Sequence, residues 1–297
     1  MRRFLIISLL LAGTAVGQDP IALKALTVKQ AEALVLLFDE YEELSLPNLT
    51  TLSPEAAKAL AKHNGLLRLG GLTTLSPEVA SELAAQSGPL FLDGLATLSD
   101  PAAEALSGHH NLLCFSGLVE LSDKAAESLS KHNESLWLNG LTTLSDQSAK
   151  ALGKHKGYLR LDSVTTLSDS AVKALAQDSW LLSLNGLAQL SDEGAKALAH
   201  RKGDLLLNGL KSLSDEAAAE FARHEGNLYL RKLAALTDKT AEQLARHKGY
   251  LDLSGVSKLS DKALIALAAN PKIRLPRYVQ FRAKMLITRN NDELSRP

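Results

Sequence analysis

The sequence predicts an α/β solenoid, with a parallel β-sheet on the concave face and short α-helices on the convex face. Three observations carry that expectation. A leucine followed by Ser or Thr, then Asp or Pro, recurs at Leu52, Leu75, Leu98, Leu121, Leu144, Leu167, Leu190, Leu213, Leu236 and Leu259, every interval being 23 residues. A second leucine series, from Leu44 to Leu251, keeps the same step and opens an L-x-L pattern whose two apolar residues share one face of a strand. Ala and Leu then follow at helical spacing, as at Ala149 and Leu152. One such unit is too short to bury its own leucines, whereas a stack of them forms a continuous core.

The elements follow in chain order. Residues 1–17 read as a signal peptide: Arg2 and Arg3, an apolar run from Phe4 to Ala12, and small residues Ala15 and Gly17 before a cut at Gln18. The run is too short to span a bilayer and no Cys follows it, so the expectation is a soluble exported protein, secreted or periplasmic. Residues 18–43 form an N-terminal helical cap containing a degenerate first repeat, "LTVKQAEAL", and a longer helix read from "AEALVLLFDEYEEL". Residues 44–270 hold ten 23-residue repeats, and residues 271–297 form a C-terminal cap or tail that breaks the pattern at Pro271.

Within a repeat, pairs such as Asn139-Gly140 and Asp93-Gly94 favour a turn after the strand. The Ser or Thr that follows, Ser53 through Ser260, stands where a helix N-cap is needed. Pro54, Pro77 or an Asp occupies the first helical position, suiting a missing N–H or the helix dipole. Gly65, Gly88, Gly157, Gly203, Gly226 and Gly249 share a column just past the helix, where a left-handed C-terminal cap is expected.

With the strand pair Leu136 and Leu138, then Leu141 and Leu144, then the helix of Ala149 and Leu152, the unit resembles the leucine-rich repeat family in its short bacterial-type form. The resemblance covers ten to eleven repeats and implies a parallel-sheet solenoid that presents a protein-binding surface. It departs from the family at Leu72, Leu95, Leu118, Leu141, Val164 and Leu187, where an Asn usually ladders along the turn.

Composition narrows the function. Lys and Arg total 33 and Asp and Glu 33, a balance that gives no electrostatic footprint for nucleic acid or an anionic membrane. Without residues 1–17 the net charge is −2. Cys114 is the only cysteine, which excludes an intrachain disulfide and a Cys-based zinc site. No G-x-S-x-G, phosphate-cradling glycine loop or H-E-x-x-H is present, and the invariant step leaves no insertion in which to build an active site. The chain is therefore expected not to be an enzyme and to use no cofactor or metal.

Recognition is expected on the open sheet face, where three outward columns vary. These columns bring Phe91, Trp137, Tyr158, Arg160 and Tyr229 together with Asp93, Asn139, Asp162 and Arg231, the aromatic and guanidinium anchors that binding hot spots use. The expected partner is a protein or other macromolecule, the chain itself being a monomer with no membrane span after the signal is removed. The alternative is a structural spacer of the cell envelope without a specific ligand. His63, His109, His132, His155, His224 and His247 share one column near the helix ends; the expectation is that they suit the helix dipole and that their charging lowers stability in acid.

Overall fold

The computed structural model describes residues 23–38, 42–177 and 180–294. The signal-peptide segment lies outside the described residues. The chain divides between Arg160 and Leu161 into two compact units.

The first unit contains α1 (Val28–Leu37), β1 (Leu44–Ser45), α2 (Pro54–Leu60), β2 (Leu67–Arg68), α3 (Pro77–Ala84), β3 (Leu90–Phe91), α4 (Asp100–Leu106), β4 (Leu113–Cys114), α5 (Asp123–Leu129), β5 (Leu136–Trp137), α6 (Asp146–Leu152) and β6 (Leu159–Arg160). Its strands lie parallel in chain order, each residue opposite its equivalent one repeat on, as Leu90 opposite Leu113. Each strand donates N–H groups to the next, as Leu44 does to Leu66 O at 2.8 Å and Leu46 to Arg68 O at 2.8 Å.

The second unit contains α7 (Asp169–Leu175), β7 (Leu182–Ser183), α8 (Asp192–Ala199), β8 (Leu205–Leu206), α9 (Asp215–Phe221), β9 (Leu228–Tyr229), α10 (Asp238–Leu244), β10 (Leu251–Asp252), α11 (Asp261–Ala268), β11 (Ile273–Arg274) and α12 (Arg277–Leu294). Strands β7 to β11 pair parallel in order, and Ile273 lies opposite Leu251, one residue short of the usual step. Both units are thus leucine-rich-repeat-like solenoid segments, with an open parallel sheet and a layer of short helices.

The core of each unit lies between strands and helices. In the first, Leu67, Leu69, Leu83 and Phe115 are fully buried with Ala80; in the second, Leu205, Leu207, Leu210 and Phe221 are buried with Ala218. The small alanines let each helix approach the sheet closely. Helices of seven or eight residues would not persist alone; burial and capping hold them. At α6, Ser145 accepts the Ser148 N–H at 2.9 Å and its own hydroxyl donates to Asp123 Oδ1 of the preceding repeat at 2.5 Å. Thr237 and Asp215 repeat this at 2.9 Å. The Ser-Asp pair therefore caps its own helix and staples two repeats together. Those donated hydroxyls hold the Asp123 carboxyl below its usual range.

Two expectations need correction, and the tail adds an element. Helix α1 stops at Leu37, because Phe38 turns to extended backbone, so the longer helix read from "AEALVLLFDEYEEL" does not continue. The tail forms β11, in which Ile273 continues the leucine series beside β10, and then an 18-residue helix, α12, that the broken pattern does not predict. The glycines past the helices are not left-handed caps: Gly65, Gly88, Gly157, Gly226 and Gly249 all have φ outside the left-handed region. Those glycines allow close stacking of backbone on backbone. A Cβ at Gly157 would stand 1.9 Å from Glu134 O, and one at Gly88 2.2 Å from Gly65 O.

Candidate functional site

The outward residues of β2 to β6 in the first unit are Arg68, Phe91, Cys114, Trp137 and Arg160. Parallel pairing in exact repeat register sets them in one row. Arg68 lays its guanidinium 4.2 Å from the Phe91 ring centre while binding Glu43 at 3.1 Å and Asp93 Oδ2 at 2.8 Å. The Phe91 and Trp137 rings meet edge to face at 6.0 Å and 88°. Arg160 stacks on Trp137 at 5.1 Å, and Tyr158 adds a second edge contact to the indole at 6.4 Å.

The rings meet although their strands are separated by β4, so they lean together over Cys114, which is 1% exposed. Cys114 stands in the outward row between Phe91 and Trp137, yet it is buried. Burial pushes its thiol up to about 12, and its sulfur contacts Asp93 Oδ1 at 3.3 Å and Ser116 Oγ at 3.2 Å. A thiol so raised is not a nucleophile near neutral pH. The row ends in a cation on each side and carries two buried polar atoms, Trp137 Nε1 and Asn139 Oδ1, with no hydrogen-bond partner among the described residues.

The second unit arranges its open face differently. Tyr229 and Tyr250 tilt together at 5.7 Å, and Arg231 lies 5.6 Å over Tyr229 while donating to Asp252 Oδ2 at 2.8 Å. Asp252 is fully buried. Burial alone would raise its pKa, but hydrogen bonds from Ser254 and Arg231 outweigh that and hold it below the usual range.

The column after the second leucine forms a polar ladder there. Asp162 Oδ1 accepts from Asn185 N at 3.3 Å, Asn185 Oδ1 from Asn208 N at 3.0 Å, and Asn208 Oδ1 from Arg231 N at 3.2 Å. Before the first leucine, Asp204 and Asn227 repeat the device, passing on to Tyr250 N at 3.0 Å. A side-chain ladder therefore exists, away from the position where the family places its Asn, which is filled by buried leucine or valine.

The nine sequence-predicted site residues are thus not one cluster. Phe91, Trp137, Tyr158 and Arg160 join, with Asp93 held through Arg68; Tyr229 and Arg231 belong to a separate group; Asp162 is committed to the ladder and Asn139 lies beside the rings at the end of β5. Sequence reasoning missed Arg68, Tyr250 and Asp252. The signal available was the step itself, since residues one repeat apart become strand neighbours.

The histidine column lies behind the sheet and is almost wholly buried. His63 Nε2 donates to Glu42 O at 2.9 Å, and His247 Nδ1 to Phe221 O at 2.9 Å. The same column holds Gln86, which donates to Gly65 O at 2.7 Å; Arg201, which donates to Leu175 O and Trp180 O at 2.5 Å; and Asn270, which donates to Ala245 O at 2.9 Å. Most members supply an N–H donor to a carbonyl of the preceding repeat, whereas neither ring nitrogen of His132 has a hydrogen-bond partner among the described residues. The dipole explanation is therefore corrected: burial, the largest cause, lowers the pKa of His109, His224 and His247, and brings His132 to about 4 with help from its His155 and His109 neighbours. Neutral rings stacked face to face, His109 on His132 at 6.2 Å and His132 on His155 at 6.0 Å, do not converge lone pairs on a metal. Among the described residues no three His, Cys, Asp or Glu side chains group as metal ligands, and no helix is long and apolar enough to cross a membrane.

No family model matches the chain, and no curated protein matches it in sequence. Among solved structures, a leucine-rich repeat (LRR) protein of Leptospira interrogans aligns with 90% of this chain and 80% of its own at 17% identity and a TM-score of 0.50. An internalin from Listeria monocytogenes aligns with 93% of this chain and 83% of its own at 13% identity and a TM-score of 0.45. The Leptospira likeness establishes the leucine-rich-repeat fold for this chain.

Proposed function

We propose that this leucine-rich-repeat chain is a non-enzymatic, exported binding protein that holds a protein partner against the open sheet face of its first unit. The observation that supports it most is the row Arg68, Phe91, Trp137, Arg160 with Tyr158 at its side. Those residue types supply large, stiff contact area and charge-assisted hydrogen bonds, which dominate binding energy at protein interfaces. Phe91 is buried at 8% exposure beneath its neighbours, while Trp137 and Tyr158 stay part-exposed on the open face, and that presentation of rings between two arginines reads as recognition. Export rests on the pattern of residues 1–17.

The test is affinity capture from exported fractions with three baits: the wild type, Trp137→Ala/Arg160→Ala, and a helix-side control, Lys150→Ala/Lys154→Ala. A protein retained by the wild type and control and lost from the Trp137/Arg160 variant supports the reading. Equal retention by all three baits, or no specific retention, would leave the spacer of the cell envelope as the better account.

A further inference from the structure

The last helix carries an apolar face that the fold does not cover. Helix α12 docks on α11 through Val279 and Ala283, which are buried, while Tyr278, Phe281 and Met285 are 59%, 65% and 61% exposed. At about 100° per residue those three lie within roughly 60° of one another, forming a single outward ridge. Tyr278 is held there by its hydroxyl, which donates to Val256 O at 3.3 Å.

Bases flank this ridge. Arg277 and Lys284 are exposed on one side and have no ion-pair partner among the described residues. Arg282, on the other side, binds Asp261 and donates to Leu259 O at 3.2 Å. The surrounding sequence has seven Lys and Arg residues and no Asp or Glu between residues 262 and 291, in a chain whose overall charge balances. Apolar and positive surface are thus concentrated together at one end.

We propose that α12 is a peripheral docking element for an anionic lipid surface, lying flat with Phe281 and Met285 in the headgroup boundary and Arg277 and Lys284 among the phosphates. Charge complementarity and shape select this occupant. A helix with an apolar stripe edged by bases is what an anionic interface takes up. The three side chains project outward from the helix; a folded acidic protein would have to set carboxylates at fixed points against Arg277 and Lys284, whereas headgroups bring mobile negative charge to an exposed apolar ridge. Since α12 packs back onto α11, docking needs no unfolding and no spanning segment.

The test is vesicle flotation of the full chain at low salt, with phosphatidylcholine alone and with phosphatidylcholine containing one quarter phosphatidylglycerol. The expected result is at least about tenfold stronger partitioning to the anionic vesicles, falling roughly tenfold or more in Arg277→Ala/Lys284→Ala and also in Phe281→Ser/Met285→Ser. All variants share residues 1–17, so the apolar run near the start cannot produce a difference between them. Thermal melts check that the substitutions, all at exposed positions, leave the fold intact. Equal partitioning to both vesicle types, unchanged partitioning of both variants, or retention on a poly-glutamate matrix without vesicle binding would overturn the proposal. Trp137→Ala/Arg160→Ala should float like the wild type, which keeps this outcome separate from that of the sheet face.

Discussion

Two columns run through the repeats at the same 23-residue step and obey opposite rules. The buried one holds His63, Gln86, His109, His132, His155, Arg201, His224, His247 and Asn270; Asp178, the departure from it, lies outside the described residues. The open one holds Arg68, Phe91, Cys114, Trp137 and Arg160 in the first unit and Ser183, Leu206, Tyr229, Asp252 and Arg274 in the second. The buried column changes in size and shape, yet almost every member can present an N–H to a carbonyl one repeat earlier. The open column changes in charge, polarity and aromaticity with no common chemistry. A column restricted to one hydrogen-bonding role is there for the fold; one without such a restriction is available for recognition.

The largest test of that contrast acts on the stacking that lets the buried donors reach their carbonyls. Gly157→Ala puts a methyl 1.9 Å from Glu134 O and close to the His155 ring, and should cost about 3 kcal/mol or more. Gly108→Ala, whose nearest neighbour would be 3.9 Å away, should be neutral or slightly stabilising. Urea unfolding of the two variants compares them directly, and equal effects would break the contrast.

Next in size is Arg201→Met, which keeps most of the aliphatic volume and removes the donors to Leu175 O and Trp180 O. Two carbonyls left without those donors should cost on the order of 2–3 kcal/mol. Arg160→Met, on the open row, should change the unfolding midpoint by a small fraction of that. If both arginines proved equally costly, the distinction between the columns would fail.

Between pH 7.5 and 5, above the range in which Asp252 titrates, acid should act on the buried column. Burial lowers the folded pKa of His109, His224 and His247, and that of His132 to about 4, so the unfolded chain binds more protons below its ordinary value near 6.5. Stability from these rings is complete above pH ~6.5 and is lost as pH falls toward about 4, below which His132 contributes no further slope. Melting temperatures at pH 7.5 and 5 should differ by several degrees, and His132→Gln should reduce the difference. Identical melts would show the rings charging without cost.

The period explains how much of this was legible in the sequence. An unbroken step fixes strand, turn, cap and helix together, so the solenoid and the Ser caps could be read directly. The staple from Ser145 to Asp123 could not, because both residues already had a sufficient local duty in their own helix. The histidine column was visible as a column, but its burial was not, and position near a helix end suggested the dipole instead. Glycine has two uses, and the sequence does not say whether the left-handed region or the missing Cβ is required; stacking at Gly157 decides for the second. Helix α12 was hidden because nothing before it shares its pattern. At the open face the residue types were readable, while their partners depended on applying the repeat step as a contact rule: Arg68 belongs with Phe91 because they are 23 residues apart.

A smaller loss of stability than from Gly157→Ala or Arg201→Met, and the sharpest effect on the open row, is expected from Trp137→Ala. The indole lies outside the core and contributes edge contacts to Phe91 and Tyr158 and one cation contact from Arg160, together worth roughly 1–2 kcal/mol. What it covers is Cys114, 1% exposed and with its thiol pushed up to about 12 by burial. Removing the ring readmits water, lowers that pKa, and should let a thiol reagent that leaves the wild type unmodified at pH 8 label Cys114 within minutes. Arg160→Ala removes a cation but not the cover, so it should leave Cys114 protected. Labelling of the wild type at the variant's rate would mean that the rings do not close over the thiol, and the row would then be five separate side chains instead of one packed surface for a partner to meet.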